Sequence, residues 1–166
     1  ESVDFDFFTP STFNPDDLLN QLSERCDPKL NYKNKSTLGL WIEGITCTFF
    51  YYRYPLLKEL KNYNAVRIVD AADIGAMKIA AISGRGKKRD FIDLYFVCQR
   101  EYRLADIIKL YQKKYEVLDH DLYHIYNSLI YFNDAEIDAM PVMFEKTDWK
   151  EVKAFFENEI KQIMKN

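Results

Sequence analysis

The sequence predicts an α+β fold, with a mixed sheet and one helix in residues 1–70 and a mainly helical region in residues 71–166. Runs rich in β-branched and aromatic residues are concentrated in the first region, whereas helix caps and helical apolar spacing prevail in the second. The 166 residues are 48% hydrophobic, which is enough to bury one sizeable core. No repeat, low-complexity tract or linker divides the sequence, so we expect a single domain over residues 1–166.

The first predicted strand, residues 2–8, reads SVDFDFF and places two acids side by side. Side chains alternate across a strand, so Asp4 and Asp6 share one face while Phe5 and Phe7 take the other. One interpretation is a half-exposed strand whose wet face is acidic. The other is a site for a divalent cation such as magnesium, since hard ions take oxygen ligands and relieve the repulsion between paired carboxylates.

The rest of the first region is predicted as one helix and three further strands. Asn14 caps a helix that continues to about Cys26, with proline at its first position, and the polar stretch 27–35 is predicted as a loop. Two β-rich runs flank Glu43-Gly44, which is typical of a hairpin. The predicted strands that join 2–8 in one mixed sheet are 37–42, 45–53 and 65–69.

The second region is predicted as a series of helices. Asp70 caps a helix that runs to about Ser83, and a second helix starts near Arg89 and ends near Arg100. The loop between them, 84–89, reads GRGKKR; its glycines are typical of helix termination and are only a weak sign of a phosphate-binding loop. Further helices are predicted at 103–117, 120–132 and 148–165.

A cluster of charges is predicted across the first two of these helices. Lys78 falls in an apolar stripe, and Asp90 and Asp93 lie a turn apart in a helix that is apolar nearly all round. Buried charges need partners, and the nearest cations are Lys78, Arg85 and Arg89. The spacing alone leaves two interpretations open, an ion-pair clasp that joins the helices or a functional site.

Composition limits the classes of function. A net charge of -3 gives no global attraction for nucleic acid, which leaves the basic stretch 84–89 as a local candidate. Cys26, Cys47 and Cys98 lack metal-ligand spacing and favour buried thiols in a reducing compartment. No apolar run reaches the ~20 residues that span a bilayer, so we expect a soluble cytoplasmic protein with no membrane partner.

The stretch DIGAMKIAAISGRGKKRDFIDLYF, residues 73–96, resembles the signature of the AbiEii/AbiGii toxin family of nucleotidyltransferases, a branch of the polymerase-β-like superfamily found in abortive-infection and toxin–antitoxin systems. Upstream, SVDFDFFT is similar to the family's Asp-x-Asp strand, and TCTFFYYRYPLL resembles its following strand and proline turn. The resemblance implies a polymerase-β-like nucleotidyltransferase core followed by helices.

The resemblance also implies roles for the acids and the lysine. Asp4 and Asp6 would be catalytic carboxylates that hold magnesium against a nucleoside triphosphate. Lys78 would contact the nucleotide's phosphates or the charge that develops on them. Asp93, with Asp90, would belong to a further catalytic motif close to the nucleotide.

The resemblance further implies phosphate or RNA contacts by two arginines, a reaction, and partners of the protein. Arg85 and Arg89 would bind phosphate or RNA. The reaction would transfer a nucleoside monophosphate from the triphosphate to an acceptor, with RNA such as tRNA as the leading class. A cognate antitoxin protein is a further expected partner. Because the element that precedes the Asp-x-Asp strand is expected to be missing, we also expect the apolar surface left beside Asp4 to be covered by self-association or by a partner segment.

Two departures from the family pattern keep other functions open. The sequence lacks the family's Gly-Ser element before the Asp-x-Asp strand, so we expect the N-terminal element of the fold to be missing, and Thr48 stands on a strand where a carboxylate is common. The first alternative is therefore a truncated or degenerate member that binds nucleotide or an antitoxin without catalysis. The second is an RNA- or protein-binding module that uses the basic loop and exposed aromatics.

Overall fold

A four-stranded mixed sheet forms the first part of the chain, as predicted. The computed structural model describes residues 4–116 and 122–165. The first strand, β1 (Asp4–Thr9), pairs in parallel with β4 (Ile45–Tyr51), and β4 pairs antiparallel with β3 (Thr37–Ile42). The strand β2 (Lys29–Asn34) completes the sheet in the order β1-β4-β3-β2, so β1 and β2 are its edges.

Local sequence signals account for the helix and the hairpin of this sheet. Helix α1 (Pro15–Ser23) is capped by the Asn14 side chain, which accepts a hydrogen bond of 2.9 Å from the Asp16 amide. Glu43 and Gly44 both take positive φ, 51° and 83°, which suits the two-residue link between β3 and β4.

Two of the strand predictions were wrong. Residues 29–34 were expected in a loop, but they form β2; the strand is short and mostly polar, and its two apolar side chains, Leu30 and Tyr32, are exposed. Val66–Ile68 (β6) was expected in the main sheet, but it pairs only with Lys61–Tyr63 (β5) in a separate two-stranded sheet. Asn64 takes a φ of 52° in the tight turn between them, so the nearby chain supplies the partner strand.

Helices occupy the second part of the chain, close to the predicted ranges. Asp70 caps the first of them, since its carboxylate accepts 2.9 Å from the Ala72 amide. This bond, with ion pairing to Lys61 and a hydrogen bond from Tyr102, lowers the pKa of Asp70 to about 2. The helices are α2 (Ala71–Arg85), α3 (Lys88–Arg100), α4 (Leu104–Lys114), α5 (Leu122–Leu129), α6 (Asn133–Glu136) and α7 (Trp149–Ile163). Parts of the predicted helices 103–117 and 120–132 fall on residues 117–121, outside the described residues.

Aromatic packing forms the centre of the helical part. The ring of Phe91, on α3, lies 5.2 Å from Phe132, 5.9 Å from Trp149 and 5.5 Å from Phe156. All four side chains are buried, and such tilted and edge-on pairs stabilise a core beyond the burial of their area. The core therefore ties α3 to α7.

The chain divides into two compact units, Glu1–Tyr54 and Pro55–Asn166. The first holds the main sheet and α1, and the second holds the small sheet and the other helices. None of the helices within residues 4–116 and 122–165 combines the length and the hydropathy of a membrane-spanning segment.

Candidate functional site

The predicted metal ligands lie on one face of β1. Because Asp4 and Asp6 are two residues apart in a strand, both project from the same side of the sheet. The register of the parallel pair sets Asp4 beside Thr46 and Asp6 beside Thr48. We call this side the acidic face, and both carboxylates on it are exposed.

The opposite side of β1 is not buried either. Phe5 is 56% and Phe7 41% exposed, although Phe7 stacks on Phe49 with ring centroids 4.9 Å apart. On β3, which is separated from β1 by β4, Leu38 and Leu40 are fully buried. The apolar core of the first unit is thus centred on β3, and the strand with the acidic pair lies at its margin.

The donor set of the acidic face fits a magnesium ion. Its charged donors are two carboxylates, and the buried Thr48, 5% exposed as a residue, adds a hydroxyl that accepts a long hydrogen bond of 3.5 Å from the Tyr32 hydroxyl. Magnesium takes hard oxygen ligands and is commonly held by one or two carboxylates together with substrate phosphates. Within residues 4–116 and 122–165, no group of three or more His, Cys, Asp or Glu side chains is placed to hold a metal ion. An ion here would therefore depend on phosphate oxygens for further coordination.

The predicted charge cluster between α2 and α3 is present. The Lys78 Nζ lies 3.2 Å from Asp90 Oδ1 and 2.5 Å from Asp93 Oδ2. Arg85 donates from Nε to Asp90 Oδ2 at 2.8 Å and from Nη2 to Oδ1 at 3.0 Å. The ion-pair clasp, one of the two interpretations that the sequence left open, is therefore present.

Asp90 is the centre of this cluster. Its side chain is fully buried, and burial by itself would raise its pKa. The hydrogen bonds from Arg85 and the charge of Lys78 outweigh this effect and lower the pKa of Asp90 below its ordinary value. Asp93 is 42% exposed and Lys78 22% exposed, so this side of the cluster remains accessible to a ligand.

The loop predicted over residues 84–89 is shorter than expected, and part of its positive charge is paired or buried. Helix α2 continues to Arg85, Gly86 ends it in the left-handed conformation at φ 57°, and α3 begins at Lys88. Lys87 pairs with Asp138 at 3.3 Å, and the buried Lys88 donates to the Asp138 carbonyl. The Asp138 carboxylate compensates the charge of Lys87, and Lys88 is buried, so less positive charge of this stretch is exposed to attract nucleic acid. Arg89, the other predicted phosphate contact, is exposed on α3.

A cleft of about 530 Å³ opens beside Arg85. The C-terminal end of α2 forms one side of it, and the other is lined by His124, Asn127, Tyr131 and Asp134. Its volume falls in the range of small-molecule sites, and Arg85 supplies a positive charge at its edge.

A second buried ion pair, between Lys114 and Asp73, was not predicted from the sequence. Lys114 Nζ lies 2.6 Å from Asp73 Oδ1 and 2.7 Å from the Pro55 carbonyl, with both charged side chains almost fully buried. Asp73 also accepts from the amides of Leu57 and Lys58. The pair thereby anchors the extended segment that begins the second unit. No local pattern could reveal it, because the two partners are 41 residues apart.

The predicted catalytic residues belong to both units. Asp4 and Asp6 lie in the first unit, and Lys78, Asp90, Asp93, Arg85 and Arg89 lie in the second. Their convergence on one pocket stays a prediction.

Known proteins resemble this chain in sequence and in fold. A family model described as nucleotidyl transferase AbiEii toxin, type IV toxin–antitoxin system, matches residues 52–164. The uncharacterized protein aq_aa25 of Aquifex aeolicus (strain VF5) is 36% identical over 172 residues, which cover 99% of this chain and 81% of that protein.

Two crystal structures from Helicobacter pylori share the fold. JHP933 superposes with a TM-score of 0.57 at 16% identity, over 99% of this chain and 76% of that chain. A protein provisionally described as a nucleotidyltransferase gives a TM-score of 0.55 at 17% identity, over 98% of this chain and 77% of that chain.

Proposed function

Since this chain belongs to the nucleotidyl transferase AbiEii toxin family, we propose that it is a magnesium-dependent nucleotidyltransferase that transfers a nucleoside monophosphate from a nucleoside triphosphate to RNA. The observation that carries the proposal is the acidic face, where Asp4 and Asp6, two residues apart on β1, lie on the same side of the sheet as Thr48 of the paired strand. Paired acids of this kind are suited to hold magnesium against phosphate oxygens.

Asp4 and Asp6 hold the ion in this proposal. When bound, magnesium neutralises negative charge on the triphosphate and on the leaving group. The acceptor hydroxyl oxygen bonds to the α-phosphorus, the bond from that phosphorus to the bridging oxygen breaks, and pyrophosphate leaves. The hydroxyl proton passes to a carboxylate of the acidic face.

Lys78 supplies positive charge to the phosphates. Asp90 and Asp93 fix its ammonium group from one side, so it is oriented before substrate arrives. Such preorganisation lowers the barrier, because no charge has to be rearranged during the reaction. Arg85, at the edge of the cleft, and Arg89, exposed on α3, add charge for phosphate or RNA.

The family description makes a cognate antitoxin the expected regulator of this activity. We propose that the antitoxin limits transfer in the cell and that an RNA such as tRNA is the acceptor.

A second candidate function is nucleotide or antitoxin binding without catalysis. It is favoured by one observation: beside Asp6, the paired strand carries the neutral Thr48. A hydroxyl is a weaker magnesium ligand than a carboxylate, so an ion would be held less tightly.

One assay separates the two candidates. Protein expressed from its complete reading frame is incubated with labelled nucleoside triphosphates, total RNA and magnesium, and label on RNA is measured. We expect transfer that Asp6→Asn abolishes and that Asp17→Asn, the same change at an exposed acid on α1, leaves unchanged. Transfer that survives Asp6→Asn would refute the site. Magnesium-dependent nucleotide binding with no transfer by any form would establish the second candidate.

A further inference from the structure

We propose that Trp41 and Tyr32 form a stacking platform for the base of the nucleoside triphosphate, on the same face of the sheet as Asp4 and Asp6. The inference rests on the proposed function and adds to it the residues that bind the base. It follows from the strand register, from a bulge in β2 and from the exposure of both rings.

The register places Trp41 on the acidic face. Across the sheet, Asp4 pairs with Thr46, and Thr46 pairs with Trp41. Paired residues project to the same side, so all three lie in one row. Trp41 is 49% exposed, which leaves a large part of the indole available for contact.

A bulge brings Tyr32 to the same face. Leu30 pairs with Leu40, and without an irregularity Tyr32 would fall opposite Leu38, on the other side of the sheet. The register shifts between Leu30 and Tyr32, so Tyr32 pairs with Gly39 instead. Bulges commonly redirect a side chain next to a functional site.

Gly39 allows the Tyr32 ring to lie flat on the sheet. A Cβ added at Gly39 would overlap the ring, whose Cδ1 and Cζ atoms would be 2.7 Å away. From there the Tyr32 hydroxyl reaches the Thr48 hydroxyl at 3.5 Å, and Thr48 is the neighbour of Asp6. The ring is 44% exposed although it covers the glycine. Tyr32 therefore extends an aromatic surface from β2 toward the acidic pair.

The spacing suits a nucleotide. Trp41 and Asp4 are two strand spacings apart, about 10 Å, which is comparable with the span from a triphosphate to its base. A phosphate group near the carboxylates would thus leave the base over the aromatic rings. Stacking accepts any base, because every base has a π-face, so the platform provides affinity rather than base identity.

The test measures binding and needs no turnover. Equilibrium dialysis with magnesium compares labelled GTP and ATP with inorganic tripolyphosphate, which has no base. Trp41→Ala should weaken nucleotide binding about 5- to 150-fold and leave tripolyphosphate binding unchanged. Trp41→Phe, which keeps an aromatic ring, should retain most of the affinity. Tyr63→Ala, at a 68% exposed tyrosine of β5, is the matched control and should bind like the wild type.

Fluorescence gives a second readout. The chain has two tryptophans, and Trp149 is only 9% exposed, so quenching by a stacked base should come from Trp41 and vanish in Trp41→Phe. Unchanged nucleotide affinity in Trp41→Ala would overturn the platform and leave the proposed function standing, as would quenching that persists in Trp41→Phe. A wild type that binds tripolyphosphate but gains nothing from the base would overturn the platform alone. A wild type that binds neither ligand would overturn both proposals.

Discussion

Replacing Lys78 by methionine separates its structural contribution from its proposed catalytic one. The change removes ion pairs of 3.2 Å to Asp90 and 2.5 Å to Asp93 and keeps most of the apolar stem. Breaking a buried ion pair costs about 3–5 kcal/mol when one charge is left without a partner. Here Asp90 keeps its two hydrogen bonds from Arg85, and the 42% exposed Asp93 is solvated.

The expected loss of stability is therefore smaller than for a fully orphaned charge, about 1–3 kcal/mol. For a chain of this size that lowers the melting temperature by roughly 2–12 °C. Transfer should fall far more, about 10²–10³-fold, because a preorganised charge next to the phosphates is lost.

Thermal unfolding by circular dichroism gives the first quantity, and labelled nucleotide transfer well below the variant's midpoint gives the second. Arg100→Met, which removes an ion pair between two exposed side chains of the same unit, is the control and should change neither quantity appreciably. Transfer within about threefold of wild type would refute a phosphate-binding role for Lys78. A melting temperature lowered by more than about 15 °C would refute the conclusion that the two hydrogen bonds from Arg85 are enough to stabilise the buried Asp90 carboxylate.

Three further predictions follow from the buried groups. Lys114→Met should destabilise the protein by about 3–5 kcal/mol in urea unfolding, whereas Lys153→Met, in a more exposed pair, should cost about 1 kcal/mol or less; equal effects would contradict the importance of burial. Asp70→Asn should be less stable than the wild type near pH 6, and this difference in unfolding free energy should disappear as the pH falls from about 4 to 2. The reason is that helix-cap hydrogen bonding and ion pairing hold the pKa of Asp70 in the folded wild type at about 2. A difference that does not change with pH would contradict this lowered pKa. Desolvation raises the pKa of the half-buried Cys98 to about 12, so iodoacetamide at pH 8 should label it roughly 10³-fold more slowly in the native protein than in urea. Rapid labelling of the native protein would contradict this pKa.

Local chemistry made some elements predictable. The caps at Asn14 and Asp70 and the turn at Glu43-Gly44 each depend on a few neighbouring residues, so the sequence alone places them correctly. The charge cluster was equally predictable, because Lys78 and Asp90 lie on consecutive helices and a buried charge needs a partner.

Features that depend on distant residues were missed. The strand β2 has only two apolar residues, Leu30 and Tyr32, and both are exposed, so its place in the sheet comes from pairing with β3 rather than from burial of its side chains. Tyr32 was consequently assigned to a loop, and the bulge that turns it to the acidic face has no sequence signal. The Asp73–Lys114 pair escaped prediction for the same reason, since each residue is unremarkable until the fold brings them together.

The parallel pairing of β1 with β4 has a consequence for biosynthesis. Strand β1 is the first of its sheet to leave the ribosome, yet its only partner strand among the described residues is the last of that sheet to be made. At about 5–20 residues per second, the nascent chain spends seconds with Asp4 and Asp6 on an unpaired segment. Non-local pairing also forms more slowly than helices do. The acidic face therefore cannot form while β1 alone has left the ribosome, and it arises only after β4, which ends at Tyr51, has emerged.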